Sequence, residues 1–317
     1  MRSLLALIPC AALTFAAEPP KVPLKITPGK AIVPTDAMRR IWGELISVDL
    51  KTRTGTFRNE GNDEIMSFTV LPYAELLHHA AFGDLQDYRV GERAIFRLHQ
   101  NDEGKWVWLT YIQDEMNFLN GHKEFYWVDS LDAKGRIEFT QANADKSFVR
   151  TKGLVLQTDA QTRYWKDGKP AQFSDIKVGD KLRTKTHGTG KGAIRVCWEV
   201  FLDEASLLKF QAEQQAVQRK RMAEEGLPGY VDEVDGDTVK LTLFQEARET
   251  AAKLKVNGKV QLATAGVDRK AGTAVDGVVT EVKPVGNLTR VTIRLSGKLV
   301  EGLRSTALAR LMDVKRE

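Results

Sequence analysis

The stretch LQDYRVGERAIFRL, residues 85–98, is echoed by FSDIKVGDKLRTKT, residues 173–186. Asp87 and Asp175 lie 88 residues apart, and so do Gly91 and Gly179. The runs KWVWLTYIQDE and AIRVCWEVFLDE continue the echo to Asp114 and Asp203, 89 residues apart, so the repeat holds with one inserted residue. A phrase kept at a fixed spacing marks a duplicated unit. Each copy must therefore close a core within that length. A 317-residue chain has room for two or three such units at roughly 100–200 residues per domain, and its 42% hydrophobic content is enough to fill them.

Four segments share one grammar: WGELISVDLKTRTGTFRN, YWVDSLDAKGRIEFTQ, GYVDEVDGDTVKLTLFQ and GVVTEVKPVGNLTRVTIRL. Each gives an apolar strand, a turn rich in Asp, Gly or Lys, and a strand that alternates apolar and polar residues. In the third, Val239, Leu241 and Leu243 share one face, opposite Lys240 and Thr242. Period two around Asp235-Gly236-Asp237 is a β-hairpin signal. In the first copy, LPYAELLHHAAFGDL predicts a helix, with Pro72 in its first turn and Gly83 at its C-cap. Two more strands follow each V-G-D/E phrase. Gly91 and Gly179 are expected in a turn that a side chain would strain, with the flanking Asp bonding nearby amides.

Strand, strand, strand, a helix or loop, strand, strand suits a small Greek-key barrel of the OB type. Over residues 40–204 the G-x-ϕ-x-x-V-D opening and the D-ϕ-x-V-G-D/E-x-ϕ segment resemble tandem OB-like domains of secreted bacterial proteins of unassigned function. The carriers are Gly43, Val48, Asp49, Val90, Gly91 and Glu92, then Leu131, Asp132, Val178, Gly179 and Asp180. The second copy has Tyr126 in place of the opening Gly. The expected class is mainly all-β: tandem small OB-like barrels joined by short helices, with one longer linker helix.

The expected boundaries are a signal peptide at 1–16, an extended Pro- and Lys-rich linker at 17–38, OB-like barrels at 39–121 and 122–204, a linker helix at 205–226, and a divergent β-rich domain at 227–317. The last is read as one domain with a short helix near Glu246–Lys253, two half-barrels being the alternative. The linker helix, started by Asp203 or Ser206 and ended by Gly226 and Pro228, carries an apolar stripe of Leu207, Leu208, Phe210, Val217 and Met222. MRSLLALIPCAALTFAAEPP has the basic start, short apolar core and small-residue end of an export signal, too short to span a membrane. Pro9 argues against a lipid anchor at Cys10. The expected location is periplasmic or secreted. The remaining thiol, Cys197, sits in an apolar strand run and reads as structural.

No motif supplies chemistry. His78 and His79, adjacent on the expected helix, would diverge and not share a metal. GTGKGA, residues 188–193, lies between strands and reads as a hairpin loop, not a phosphate loop. DEVDGD lacks a calcium-loop spacing. No metal or cofactor site is predicted, and the protein is read as non-enzymatic. The net charge of +5 is spread over 47 basic and 42 acidic residues, which argues against nucleic acid. The expected function is an interaction or scaffolding protein of the cell envelope, its partner an envelope protein or a polysaccharide. The alternative is a module for glycan or single-stranded nucleic acid that uses exposed aromatics on an OB face: Trp106, Trp108, Arg163, Tyr164, Trp165 and Arg183. The inserted residue leaves the facing of Trp106 and Trp108 open.

Overall fold

Burial alternates along the strand Arg39–Asp49 (β1), so one face of this edge-to-edge pleat points into a core and the other out. The computed structural model describes residues 38–101, 103–188 and 190–313; the expected signal peptide and nearly all of the linker lie outside them. β1 is followed by β2 (Thr54–Asn59), β3 (Ile65–His78), β4 (Ala81–Phe82), β5 (Arg93–Gln100) and β6 (Trp106–Asp114). β1 pairs with β2 and β5, β2 with β3, β5 with β6, and β3 runs parallel to β6. These pairings close a five-stranded barrel of OB type. Phe57 and Phe96 stack at 4.0 Å in its core.

The second barrel repeats this closure with β7 (Glu124–Leu131), β8 (Arg136–Asn143), β9 (Val149–Gln157), β12 (Lys181–His187) and β13 (Arg195–Phe201). Again the third and fifth strands, β9 and β13, are parallel. A hairpin of β10 (Arg163–Lys166) and β11 (Lys169–Ala171) adds to the outer edge of β13.

The echoed phrase makes the same turn twice. Asp87 Oδ2 accepts the Asp84 amide at 2.7 Å, and Asp175 Oδ2 the Gln172 amide at 2.8 Å. Gly91 and Gly179 hold φ of +90° and +91°. Their amides donate to Leu45 O and Val128 O, at a bulge in each first strand. The two sites differ in space. A Cβ on Gly91 would meet the His187 ring at 2.7 Å, while one on Gly179 meets nothing within 4 Å. Gly179→Ala is expected to cost about 1–2 kcal/mol from backbone strain, and Gly91→Ala about 1–3 kcal/mol more from overpacking. Urea melts of the two variants check the difference.

The helix expected over residues 71–85 is not formed. The segment is strand to His78, then the β4 hairpin, then a 3-10 turn at Leu85–Asp87. The register of β3 on β6 shifts between Val70 and Glu75. Pro72 lies in that irregularity, where no ladder amide is needed. Gly83 caps no helix, and its amide donates to Leu76 O.

The third barrel closes differently. Its strands are β14 (Leu227–Asp235), β15 (Thr238–Leu243), β16 (Lys259–Ala265), β17 (Ala271–Val285), β18 (Leu288–Leu295) and β19 (Leu308–Asp313), in the closed order β14-β15-β18-β17-β16-β19. Both first strands of its halves carry a bulge, Val231/Glu233 and Val279/Glu281. Thr306 and Asn257, at φ of +73° and +67°, dock on Val231 and Val279 through their amides. The barrel is thus one closed core built from two like halves related by a pseudo-twofold. Between β15 and β16 lie a 3-10 turn, Gln245–Ala247, and a short helix, Arg248–Ala251.

Helix α1 (Glu115–Gly121) follows β6 and α2 (Glu204–Glu225) follows β13, capped by the side chains of Asp114 and Asp203. The apolar stripe of α2 is corrected by the structure. Leu208 and Val217 are exposed, while Gln214, Gln218 and Arg221 are buried beside Leu207 and Met222. The helix docks by a largely polar face because the surface beneath it is polar.

Candidate binding surfaces at the barrel junctions

Where barrel one, barrel two and α2 meet, the Lys185 ammonium of β12 is buried among groups of barrel one. It bonds His78 Nε2 at 2.6 Å and His79 Nε2 at 3.0 Å. It lies 2.8 Å from Glu92 Oε1, as an ion pair rather than an aligned hydrogen bond, and 3.7 Å from Asp114 Oδ2. An ammonium has three protons and no acceptor, so both imidazoles must offer a bare Nε2 to it. That fixes the proton of His78 on Nδ1, which donates to Gln214 Oε1 of α2 at 2.9 Å. Gln214 Nε2 passes the chain to Asp87, which also holds Arg221 at 2.8 Å.

The expected divergence of His78 and His79 is overturned. His79 and Ala80 take φ of +49° and +60°, a turn at the end of β3, which brings the two rings to 3.9 Å. Ligand atoms of His78, His79 and Asp114 lie within 4.8 Å of one another. The positive charge they surround is the ammonium of Lys185.

Packing around the ring, the Lys185 ammonium, His78, and more distantly Arg89 and Arg163 hold His79 well below the ordinary histidine range. The sign follows. An unfolded His79 takes a proton below about pH 6.5 while the folded one resists. Its contribution to stability is complete above that pH and declines as pH falls toward the folded value. Melts should be flat in this term from pH 7.5 to about 6.5 and below that lose up to about 1.4 kcal/mol per unit from this group, a slope absent in His79→Gln.

A second node sits one residue past β6. Glu115 is fully buried and receives Tyr126 at 2.7 Å, Thr186 at 2.6 Å, Arg93 at 3.2 Å and Arg195 at 3.3 Å. Barrel one supplies Arg93, and barrel two the other three. A third node joins barrels one and three: Asp84 holds Arg53 at 2.8 Å and lies 3.9 Å from Arg269, which also pairs with Glu246. Those guanidinium groups keep Asp84 well below the usual carboxylate range against its burial. Arg310 ties barrel three to α2 through Glu225 at 3.0 Å and Gly226 O at 2.9 Å.

GTGKGA is the β12–β13 hairpin loop, and it docks on barrel one: the Lys191 amide donates to Asp63 at 2.7 Å and the Gly188 amide to Gly91 O at 2.9 Å. Cys197 is buried, which pushes its thiol up.

The six residues expected to bind ligand do not share one surface. Trp106 packs against the core of barrel one. Trp108 is half-buried on β6, paired with His99 and Thr69. In barrel two, Tyr164 packs on the core, while Arg163 and the Trp165 indole both bond Glu199. Trp165 also meets Phe210 of α2 edge-on at 5.0 Å. Arg183 is buried and holds Glu124 O, Asn120 and Glu204.

A different strip joins aromatic and guanidinium groups. Between barrels one and two, depressions of about 270 and 250 Å³ share Leu154 and Arg195, and a third of about 340 Å³, walled by barrel one alone, shares Trp42 with the first. Trp42 meets Phe118 edge-on at 5.1 Å and carries the Arg93 guanidinium 3.7 Å over its ring. Arg150 lies 5.4 Å from Phe118. The sequence shows Trp42 in a strand; the β1–β5 ladder then sets Arg93 beside it, and the docking of barrel two adds Arg150 at the Phe118 ring.

No protein-family model and no curated protein matches the chain. Among solved structures, Ag(I)-bound CusF is 16% identical, spans 24% of this chain and 96% of its own, and superposes at a TM-score of 0.20. Drosophila Unr CSD456 is 12% identical, spans 88% of this chain and 98% of its own, at a TM-score of 0.19. Superpositions this loose support no functional argument. Among the described residues, no helix is long and apolar enough to cross a membrane.

Proposed function

We propose that this protein is a non-catalytic interaction module of the bacterial cell envelope, exported by its N-terminal signal, which holds three small barrels in one fixed arrangement. The observation that carries this reading is the set of buried charge nodes at the junctions: Lys185 and Glu115 between barrels one and two, Asp84 and Arg269 between one and three, Arg221 between α2 and barrel one, and Arg310 between barrel three and α2. Buried ion pairs add little net stability, since desolvation offsets their attraction, but a misplaced partner leaves a bare buried charge. Such contacts select one geometry. A fixed geometry serves a protein whose task is to present surfaces.

The test is capture of partners from envelope extract by the whole protein, with unlabelled protein as competitor. Saturable, competed capture of a protein or polysaccharide supports the reading, and its absence counts against it. A reporter fused after residue 38 tests export. The reading through Trp106 and Trp108 keeps its own test: alanine at both should weaken glycan or oligonucleotide binding, not merely stability. Arg163, Trp165 and Arg183 have internal partners, so their substitution is expected to act first on folding.

A further inference from the structure

We propose that the strip between the first two barrels binds an uncharged oligosaccharide, laid against Trp42 and Phe118. This deepens the binding-module reading and rests on it.

Three observations converge. First, the strip is elongated: its depressions are joined by shared walls at Trp42, Leu154 and Arg195. Their combined extent suits several linked rings rather than one small molecule. Second, one wall is the face that OB barrels offer to oligomers, their second and third strands. Gln141 of β8 and Thr151 and Leu154 of β9 line it. Both Trp42 and Phe118 are half-buried, so each keeps ring surface open to a ligand. An aromatic side chain offers broad apolar area with little rotamer entropy to lose, which suits the C–H faces of a sugar.

Third, the charge of the two depressions that share Leu154 and Arg195 is balanced. Arg58 faces Glu44, Arg93 faces Glu60 and Glu115, Arg195 shares Glu115, and Arg150 is bidentate on Glu124. These four guanidinium groups meet four carboxylates, so the part of the strip beside barrel two carries little field to attract a polyanion, and the exposed Arg39 and Arg40 stand only at the outer end, in the third depression. Paired groups still have outer edges for hydroxyls, and the exposed hydroxyl of Thr151 adds a neutral partner.

The experiment is isothermal titration of the whole protein with cellohexaose, chitohexaose, a heparin hexasaccharide and a thymidine oligonucleotide, at low and high salt. Trp42→Ala removes the platform. Thr151→Arg, at an exposed strand position, blocks the strip without touching a core and so guards against a misfolded Trp42 variant. The expected result is saturable binding of at least one neutral hexasaccharide, unchanged by salt and weakened at least tenfold by each substitution. The proposal is overturned if neither neutral sugar binds, if binding survives both substitutions, or if only the charged ligands bind and salt abolishes it. Capture of a protein partner by the whole protein does not require this strip to bind sugar, so failure here leaves the scaffold reading separately testable.

Discussion

Replacing Lys185 with methionine is expected to destabilise the protein by about 3–5 kcal/mol at neutral pH, the cost of removing one partner from a buried charge cluster. Methionine fills most of the lysine's volume, so the loss is chiefly electrostatic. Glu92 and Asp114, both fully buried, would face each other without a cation. The Nε2 atoms of His78 and His79 would lose their donor. The pH dependence should change sign. In the wild-type protein, acid disfavours the fold through His79. In Lys185→Met, a proton taken up by His79 replaces the missing positive charge, so the gap between the two proteins should narrow from pH 7 toward pH 5. Urea melts across that range measure both effects. A constant gap would show that the ammonium does not organise the junction.

Glu115→Ala is expected to cost a similar amount, about 3–5 kcal/mol, by a different route. The carboxylate takes four donors, and two of them are the guanidinium groups of the buried Arg93 and the partly buried Arg195. Arg93 keeps Glu60, at 2.6 Å, as a partner. Arg195 makes its close ion pair with Glu115 and would keep just the more distant attraction of Glu60, so most of its charge would be uncompensated. Glu115→Gln, which keeps the acceptor oxygen and the shape, should recover part of the loss but not the charge pairing. Because Thr186 and Tyr126 belong to barrel two, amide exchange should rise in β7 and β12 more than in the distant third barrel. Uniform exchange changes would mean that Glu115 supports the fold as a whole rather than this seam.

The repeat was legible because its carriers act locally. A glycine with a left-handed backbone, an aspartate bonding an amide three residues away and alternation along a strand all work within one turn or one ladder. The OB closure of residues 39–201 follows from that grammar. The β3 segment misled because Pro72 and Gly83 are also helix punctuation, and only the β6 strand beside it decides the matter. The third barrel was read as one domain or two half-barrels, and its pseudo-twofold shows why both descriptions fit the same residues. The site was far less legible. Lys185, Glu92, Asp114 and the two histidines span more than a hundred residues, and each looks like an ordinary surface residue on its own strand. The glutamines and Arg221 of α2 broke the apolar stripe, and their polarity made sense only once the surface under the helix was known. Trp165 and Arg183 drew notice by chemistry alone, yet their chemistry is satisfied internally.

The central claim is that charge nodes join three barrels into one unit. Scanning calorimetry of the whole protein tests it most directly. One transition, with calorimetric and van't Hoff enthalpies in a ratio of about 1, is the predicted result, and Lys185→Met should raise that ratio. Separate transitions, or a ratio of about 3 for the wild-type protein, would show three barrels that unfold independently and would contradict the account.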